Sequence, residues 1–368
     1  MNQYEILDEK YWKRHDYLLY VYDIIADMIR QADQKKLVKA TVEIDNEEKA
    51  KEFEKTEDIF RWMDENGLHN ISLRLFTSHM FFSLLKDFCY FMYESISCSE
   101  RGKVTVAYSL LRKPIRDNLL YLEWLLYDNE EFYNTFMYNS VEELDISDTN
   151  VFPHNRIRQI VKSAASKTYI GNKLNNDDLI YLLRFESKDT ISLQRIWNQS
   201  THLITTRSRF YRTQSGNINF LFADEEIWND FWNYYYICVP HLIAYAIEIC
   251  EAIFLSIHSV DNINQSINRF IRTAKYIDAI SNVDSSNSTE FIANMIEETN
   301  QLINRIKSFR VNIYIPCEVC SSNITLHKEL LIRLVESLHI NCEMCGSLNY
   351  LGRYFTDVKI DYGKREIK

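Results

Sequence analysis

Apolar side chains recur along this chain at helical rather than strand spacing, and in places they crowd a helix almost all round. The first 30 residues are rich in aromatics and predict an amphipathic helix ending near Arg30. Residues 33–58 form a mixed charge run, expected as a solvated helix face or a loop. From Asn70 to Ile96 the pattern is nearly continuously apolar, too rich for a surface helix. A polar break ending at Gly102 separates it from a second apolar helix, Val104 to Tyr127, which Pro114 is expected to kink. Two more helices are predicted at about 225–260 and 262–280. Residues 281–290 (SNVDSSNSTE) read as a linker, and Phe291 to Phe309 as an amphipathic helix leading into strand-like segments.

Composition agrees with this pattern. Seven Gly and four Pro in 368 residues fall far below the usual roughly 7% and 5%, and all-β or doubly wound folds consume both in turns. With 46% hydrophobic residues the chain can bury a sizeable core. The opening MNQYEILDEKYWKRHDY lacks an apolar leader segment, so a reducing, cytoplasmic compartment is the expectation. Tyr234 to Ile257 is long enough to cross a bilayer. Pro240, His241, Glu248 and Glu251 lie inside it, however, and two carboxylates in hydrocarbon are costly, so a buried core helix and no membrane contact are expected. Glu248 and Glu251, one turn apart, are read as a buried ion-paired site rather than a metal site, since Glu-x-x-His spacing is absent.

The strongest chemical signal is a pair of Cys-x-x-Cys motifs, Cys317/Cys320 and Cys342/Cys345, separated by 21 residues. Two residues between thiolates let one tight turn aim both sulfurs at one ion, and a second turn completes a tetrahedral set. Structural zinc is the expected occupant. Four thiolates leave no open coordination position, which argues against a catalytic metal. Residues 311–368 carry seven basic and seven acidic side chains, so this ribbon has no electrostatic footprint for nucleic acid. The other cysteines, Cys89, Cys98, Cys238 and Cys250, are expected to pack as small hydrophobes.

Charge is unevenly distributed. The chain sums to −10, yet residues 151–223 carry eleven Lys or Arg against four Asp or Glu. Arg195, Arg207, Arg209 and Arg212 fall in a stretch free of acidic residues, interleaved with Trp197, Phe210 and Tyr211. Clustered Arg with aromatic faces suits an RNA backbone and stacked bases. Arg195 and His202, seven residues apart, would share a face two helical turns long, the Arg to hold a phosphate and the His to move a proton at a ribose hydroxyl. The competing reading is that both are ordinary surface or capping residues. Arg74 and His79 have a similar spacing within an apolar helix, where His79 is expected in the core.

An Arg followed at short range by His in an all-helical chain resembles the HEPN superfamily of ribonucleases and RNA-binding domains. The stretch AYSLLRKPIRDNLLYLEWLL is similar to helical bacterial proteins related to it. This chain has Ile196 directly after the motif Arg, where a polar residue is usual, and Arg116 where those relatives tend to carry Glu. The resemblance implies a homodimer with paired Arg–His sites, metal-independent RNA cleavage, and a place in toxin–antitoxin or phage-defence systems.

The sequence thus predicts a mainly α protein, a helical bundle with a small C-terminal zinc-ribbon domain. The expected divisions are an N-terminal helical segment (1–58), a HEPN-like bundle (59–280), a linker and connecting helix (281–310) and the ribbon (311–368). Function is expected as RNA binding or cleavage, with Arg195 and His202 catalytic and Arg207, Arg209, Arg212, Trp197 and Tyr211 on the RNA. The alternative is a non-enzymatic scaffold whose ribbon stabilises the fold or docks a protein partner.

Overall fold

A computed structural model describes residues 4–44, 46–174, 178–186, 188, 191–206, 209, 211–221, 224–280, 312–326 and 338–361. The expected linker and connecting helix at 281–310 lie outside the described residues. So do residues 327–337 of the spacer between the cysteine pairs.

The chain is mainly α. Its first half contains α1 (Trp12–Lys35), α2 (Glu47–Lys55), α3 (Ile59–Glu65), α4 (His69–Glu100), α5 (Val104–Arg112), α6 (Leu119–Tyr127) and α7 (Asn129–Tyr138). There follow α8 (His154–Ser166), α9 (Tyr169–Leu174), α10 (Leu179–Phe185), α11 (Leu193–Thr201), α12 (Glu225–Ile257) and α13 (Asn262–Ile280). Short polar side chains start several of them. Asn46, Asp58, Asp128 and Asp224 each accept a hydrogen bond from a free amide in the first turn of the helix that follows. No residue of α2 is buried, as the charge run predicts.

Among the described residues the two longest helices, α4 and α12, form the centre of the bundle, with α1 and α6 packed against both. Cys89, Cys98, Cys238 and Cys250 are buried there among aliphatic and aromatic side chains. Among the described residues α12 alone is long and apolar enough to span a membrane, and 83% of its most apolar window is buried within the protein. His79, expected in the core, instead lies on an exposed face of α4 together with Arg74. Small polar residues of the run such as Ser72, Thr77 and Ser78 are buried, whereas the longer polar side chains of Arg74 and His79 reach solvent.

Both prolines inside helical runs have local consequences. Pro240 in α12 has no N–H to give the carbonyl of Tyr236, one turn earlier. That carbonyl is taken up by Arg14 of α1, whose Nη1 donates to it at 3.2 Å from a buried position. Pro114 produces a wider turn instead of a simple kink. The stretch Lys113–Asn118 between α5 and α6 is π-helical, and Leu119 N–H reaches back five residues to Pro114 O.

Among the described residues two charge pairs are sealed in the core. Arg184 of α10 donates to Glu123 of α6 at 2.6 Å with both side chains fully buried, and Tyr245 Oη donates to the same carboxylate oxygen at 2.7 Å. Arg272 of α13 grips Glu251 of α12 through both terminal nitrogens, at 3.1 and 2.6 Å. The ion pairing read for the Glu248/Glu251 site is therefore met at Glu251. Glu248 accepts instead from the backbone N–H of Ile170 at 2.6 Å.

Among the described residues the C-terminal part holds five short strands. β1 (Asn312–Pro316) is central to an antiparallel sheet in the order β2 (Asn323–Leu326), β1, β5 (Lys359–Asp361), with Ile313 opposite Leu326 on one side and Ile360 on the other. β3 (His339–Asn341) and β4 (Leu348–Tyr350) form a separate antiparallel pair. Leu351, Tyr354 and Phe355 are each 1% exposed and join the same hydrophobic core as the helices.

Candidate functional site

The four cysteines converge. Cys317 Sγ lies 3.7 Å from Cys345 Sγ, Cys320 Sγ lies 3.7 Å from Cys342 Sγ, and all four sulfurs fall within 4.8 Å of one another. A tetrahedron with metal–sulfur bonds of about 2.3 Å has edges of about 3.8 Å, so the sulfurs already stand at ligand spacing.

Each pair sits on the same kind of backbone turn. Cys317 N–H donates to Ser322 O and Ser321 N–H to Cys317 O, at 2.8 and 2.9 Å. The second turn repeats this through Cys342, Gly346 and Ser347, both bonds 2.8 Å long. The turn requires a positive φ at its fifth position, found at Ser321 (+59°) and at Gly346 (+71°). Hydroxyls tie the turns to each other. Ser347 Oγ lies 3.0 Å from Cys345 Sγ and 3.2 Å from Cys317 Sγ, while Ser322 Oγ lies 2.8 Å from Cys320 Sγ and 3.4 Å from Cys342 Sγ. The buried Asn349 adds a further link, accepting from Glu318 N–H at 2.9 Å and donating to Ser347 O at 3.1 Å. Hydrogen bonds from Ser347 and from backbone amides of the turn pull the Cys317 thiol down to about 5, which favours the thiolate that a metal needs. The donor set fits a metal ion held by four sulfurs.

A second site forms around α11. Ser192 caps the helix through Gln194 N–H at 3.2 Å. Leu193, Ile196 and Trp197 occupy its inward stripe, leaving Arg195 exposed on the other side. Trp197 is fully buried, so it cannot offer its ring to a base, contrary to the expectation. The spacing i, i+3, i+4 of these apolar residues is the signal that assigns it to the core. The helix also ends sooner than a two-turn Arg–His face requires. Ser200 and Thr201 both turn their hydroxyls back onto Trp197 O, and His202 follows in extended conformation (φ −123°, ψ 130°) with its side chain exposed. Arg195 and His202 therefore do not share a helical face.

Beyond His202 the loop is closed by a knot of short polar side chains. Thr213 N–H donates to Thr205 O and Thr205 N–H to Thr213 Oγ1, both at 2.8 Å. Thr213 Oγ1 donates to Asn219 Oδ1 at 2.8 Å, and Asn219 Nδ2 donates to His202 O at 2.7 Å. This fold-back sets Arg209, Tyr211 and Arg212 around the same cavity as Arg195, a space of about 410 Å³ also lined by Gln199 and Asn219. His202 is joined to the cavity through Asn219 and does not line it. Arg207 lies outside the described residues.

No protein-family model, curated protein or solved structure matches this chain, so its functional reading rests on its own geometry.

Proposed function

We propose that this chain binds RNA through the arginine cavity beside α11, with a structural zinc ion holding its C-terminal ribbon. The observation that carries the first part is the convergence of Arg195, Arg209 and Arg212 on one cavity together with Tyr211. Guanidinium groups match phosphate oxygens with paired donors, and an aromatic ring beside them supplies a face for a base. Zinc is the reading for the tetrad because four thiolates in a tetrahedral array suit this ion and saturate it. Its contribution there is cross-linking, held by Cys317, Cys320, Cys342 and Cys345.

A second reading, HEPN-like cleavage, asks His202 to reach a substrate seated in the cavity from beyond its lining. The His202 side chain is exposed, and its carbonyl is held by Asn219, a lining residue of the cavity. On this reading the imidazole takes the proton of a ribose 2′-hydroxyl, whose oxygen attacks the adjacent phosphorus. The 5′-oxygen leaves and is protonated, giving a 2′,3′-cyclic phosphate, while Arg195 balances charge on the phosphoryl oxygens.

Fluorescence anisotropy with labelled single-stranded RNA at several salt concentrations tests binding. Affinity should fall steeply with salt, and Arg209→Ala combined with Arg212→Ala should weaken it and flatten the salt slope. Binding that is unchanged in the double variant overturns the cavity as the RNA site, and a native protein that binds no RNA leaves the scaffold. Incubation of the same RNA in EDTA with native protein and His202→Ala tests cleavage. Products that form with both proteins, or with neither, remove His202 from any catalytic role.

A further inference from the structure

The segment that follows β4 is held in a way its own sequence does not require. Residues 351–358 run as a strap between α1 and α13, and most of their fixed contacts are to the strap's backbone. On α1, Asp23, Asp27, Gln31 and Lys35 recur every four residues and so form one stripe. Tyr350 Oη donates to Asp23 at 2.6 Å, Tyr354 N–H donates to Asp27 at 3.0 Å, and Gln31 Nε2 donates to Tyr354 O at 2.6 Å. Lys35 Nζ donates to Thr356 Oγ1 at 3.1 Å. On α13, Asn268 both accepts from Phe355 N–H at 2.8 Å and donates to Phe355 O at 2.9 Å. Asn264 treats Val358 in the same two-way fashion, at 3.0 and 3.5 Å.

Each of these side-chain amides copies the hydrogen bonds of a neighbouring β-strand. Asp27, Gln31, Asn264 and Asn268 are all buried with the strap in place, and each finds a backbone partner on it. The groove is thus built for an extended peptide backbone, and its occupant is this chain's own strap.

Both ends of the strap are governed by the cysteine turns. Its first residue follows β4, which continues directly from the second turn. Its last residue precedes β5, which pairs with β1, and β1 leads directly into the first turn. A metal ion bridging the two turns therefore closes the strap into a short loop. Without the ion, the contacts described between the turns are the two serine hydroxyls and Asn349, and loop closure costs more chain entropy.

We infer that metal binding at the cysteine tetrad and docking of the 351–358 strap in the α1–α13 groove are linked, so that losing the ion releases the strap and opens the groove. The inference rests on the tetrad holding a metal, and it is independent of RNA binding. Linkage is reciprocal: whatever loosens the strap must weaken metal binding by the same factor.

Hydrogen exchange on the full-length protein, zinc-loaded and after chelation, tests it directly. Exchange at Tyr354, Phe355 and Val358 should accelerate on chelation by about 5- to 150-fold, the range of typical coupling free energies, while α4 and α6 keep their protection. Equal protection of the strap in both states overturns the inference, as does a protein that takes up no zinc. The reverse arm leaves every cysteine in place. Asn264→Ala with Asn268→Ala should lower zinc affinity in equilibrium competition with a chromophoric chelator, and an unchanged affinity in a folded variant overturns the linkage. Should that variant fail to fold, the exchange experiment on the native chain decides alone.

Discussion

Replacing Glu248 with Gln should stabilise this protein at alkaline pH, although it deletes a charge beside an arginine. Glu248 is 5% exposed on α12, and burial pushes its carboxyl up to about 7 from the ordinary 4.5. Arg272 acts against this shift, but both its terminal nitrogens are already bonded to Glu251, one turn further along. A carboxyl raised in the fold stays protonated while the unfolded chain has already ionised. Between about pH 4.5 and pH 7 the folded state binds the extra proton, so stability falls as pH rises through that window and then levels off. The interval, at about 1.4 kcal/mol per pH unit, corresponds to a loss of about 3 kcal/mol. Gln keeps the oxygen that accepts from Ile170 N–H and carries no charge to desolvate.

The assay is urea unfolding of native protein and Glu248→Gln at pH 4.5 and pH 8, followed by tryptophan fluorescence. The two proteins should be close at pH 4.5, and at pH 8 the variant should be more stable by about 3 kcal/mol. A variant no more stable than native protein at pH 8 would refute the reasoning. It would mean that attraction between an ionised Glu248 and Arg272 outweighs burial.

Further predictions follow from other contacts. Arg14→Met should cost about 1–3 kcal/mol by orphaning the Tyr236 carbonyl. The cost should shrink in a Pro240→Ala background, where the new N–H can take that carbonyl, and a double-mutant cycle in urea measures the coupling. Gly171→Ala should destabilise by about 1–3 kcal/mol despite alanine's better helix propensity. A Cβ there would meet Thr168 Oγ1 at 2.1 Å and the Tyr245 ring at 2.8 Å, and a thermal melt reads the loss. His69 bridges three helices through Asp64 at 2.9 Å and Glu130 at 2.8 Å, and the hydrogen bond to Asp64 raises its pKa. Its contribution is therefore full below about pH 6.5 and lost as pH rises through the folded value. His69→Gln should cost under about 1 kcal/mol at pH 5.5, because the ring is more than a third exposed, and nothing at pH 9.

What the sequence determined by itself is local. Helices α1, α4, α12 and α13 were legible because each depends on residues three or four apart, and the scarcity of Gly and Pro leaves few places to stop. The cysteine tetrad was legible for the same reason, since two residues between thiolates nearly fix each turn before the two turns meet. Reading went wrong where two local signals compete. At α11 the apolar stripe assigned Trp197 to the core while its aromatic ring suggested a base platform, and burial won. The Ser200-Thr201 pair ended the helix one residue before His202 by binding Trp197 O, a competition that spacing alone does not register. Tertiary structure decided which faces meet. Arg14 finds the carbonyl freed by Pro240 more than two hundred positions away, Arg184 finds Glu123, and Asn264 and Asn268 find the strap's backbone. A side chain's partner across the core depends on how helices rotate and cross, and those angles are set by packing the whole interior at once.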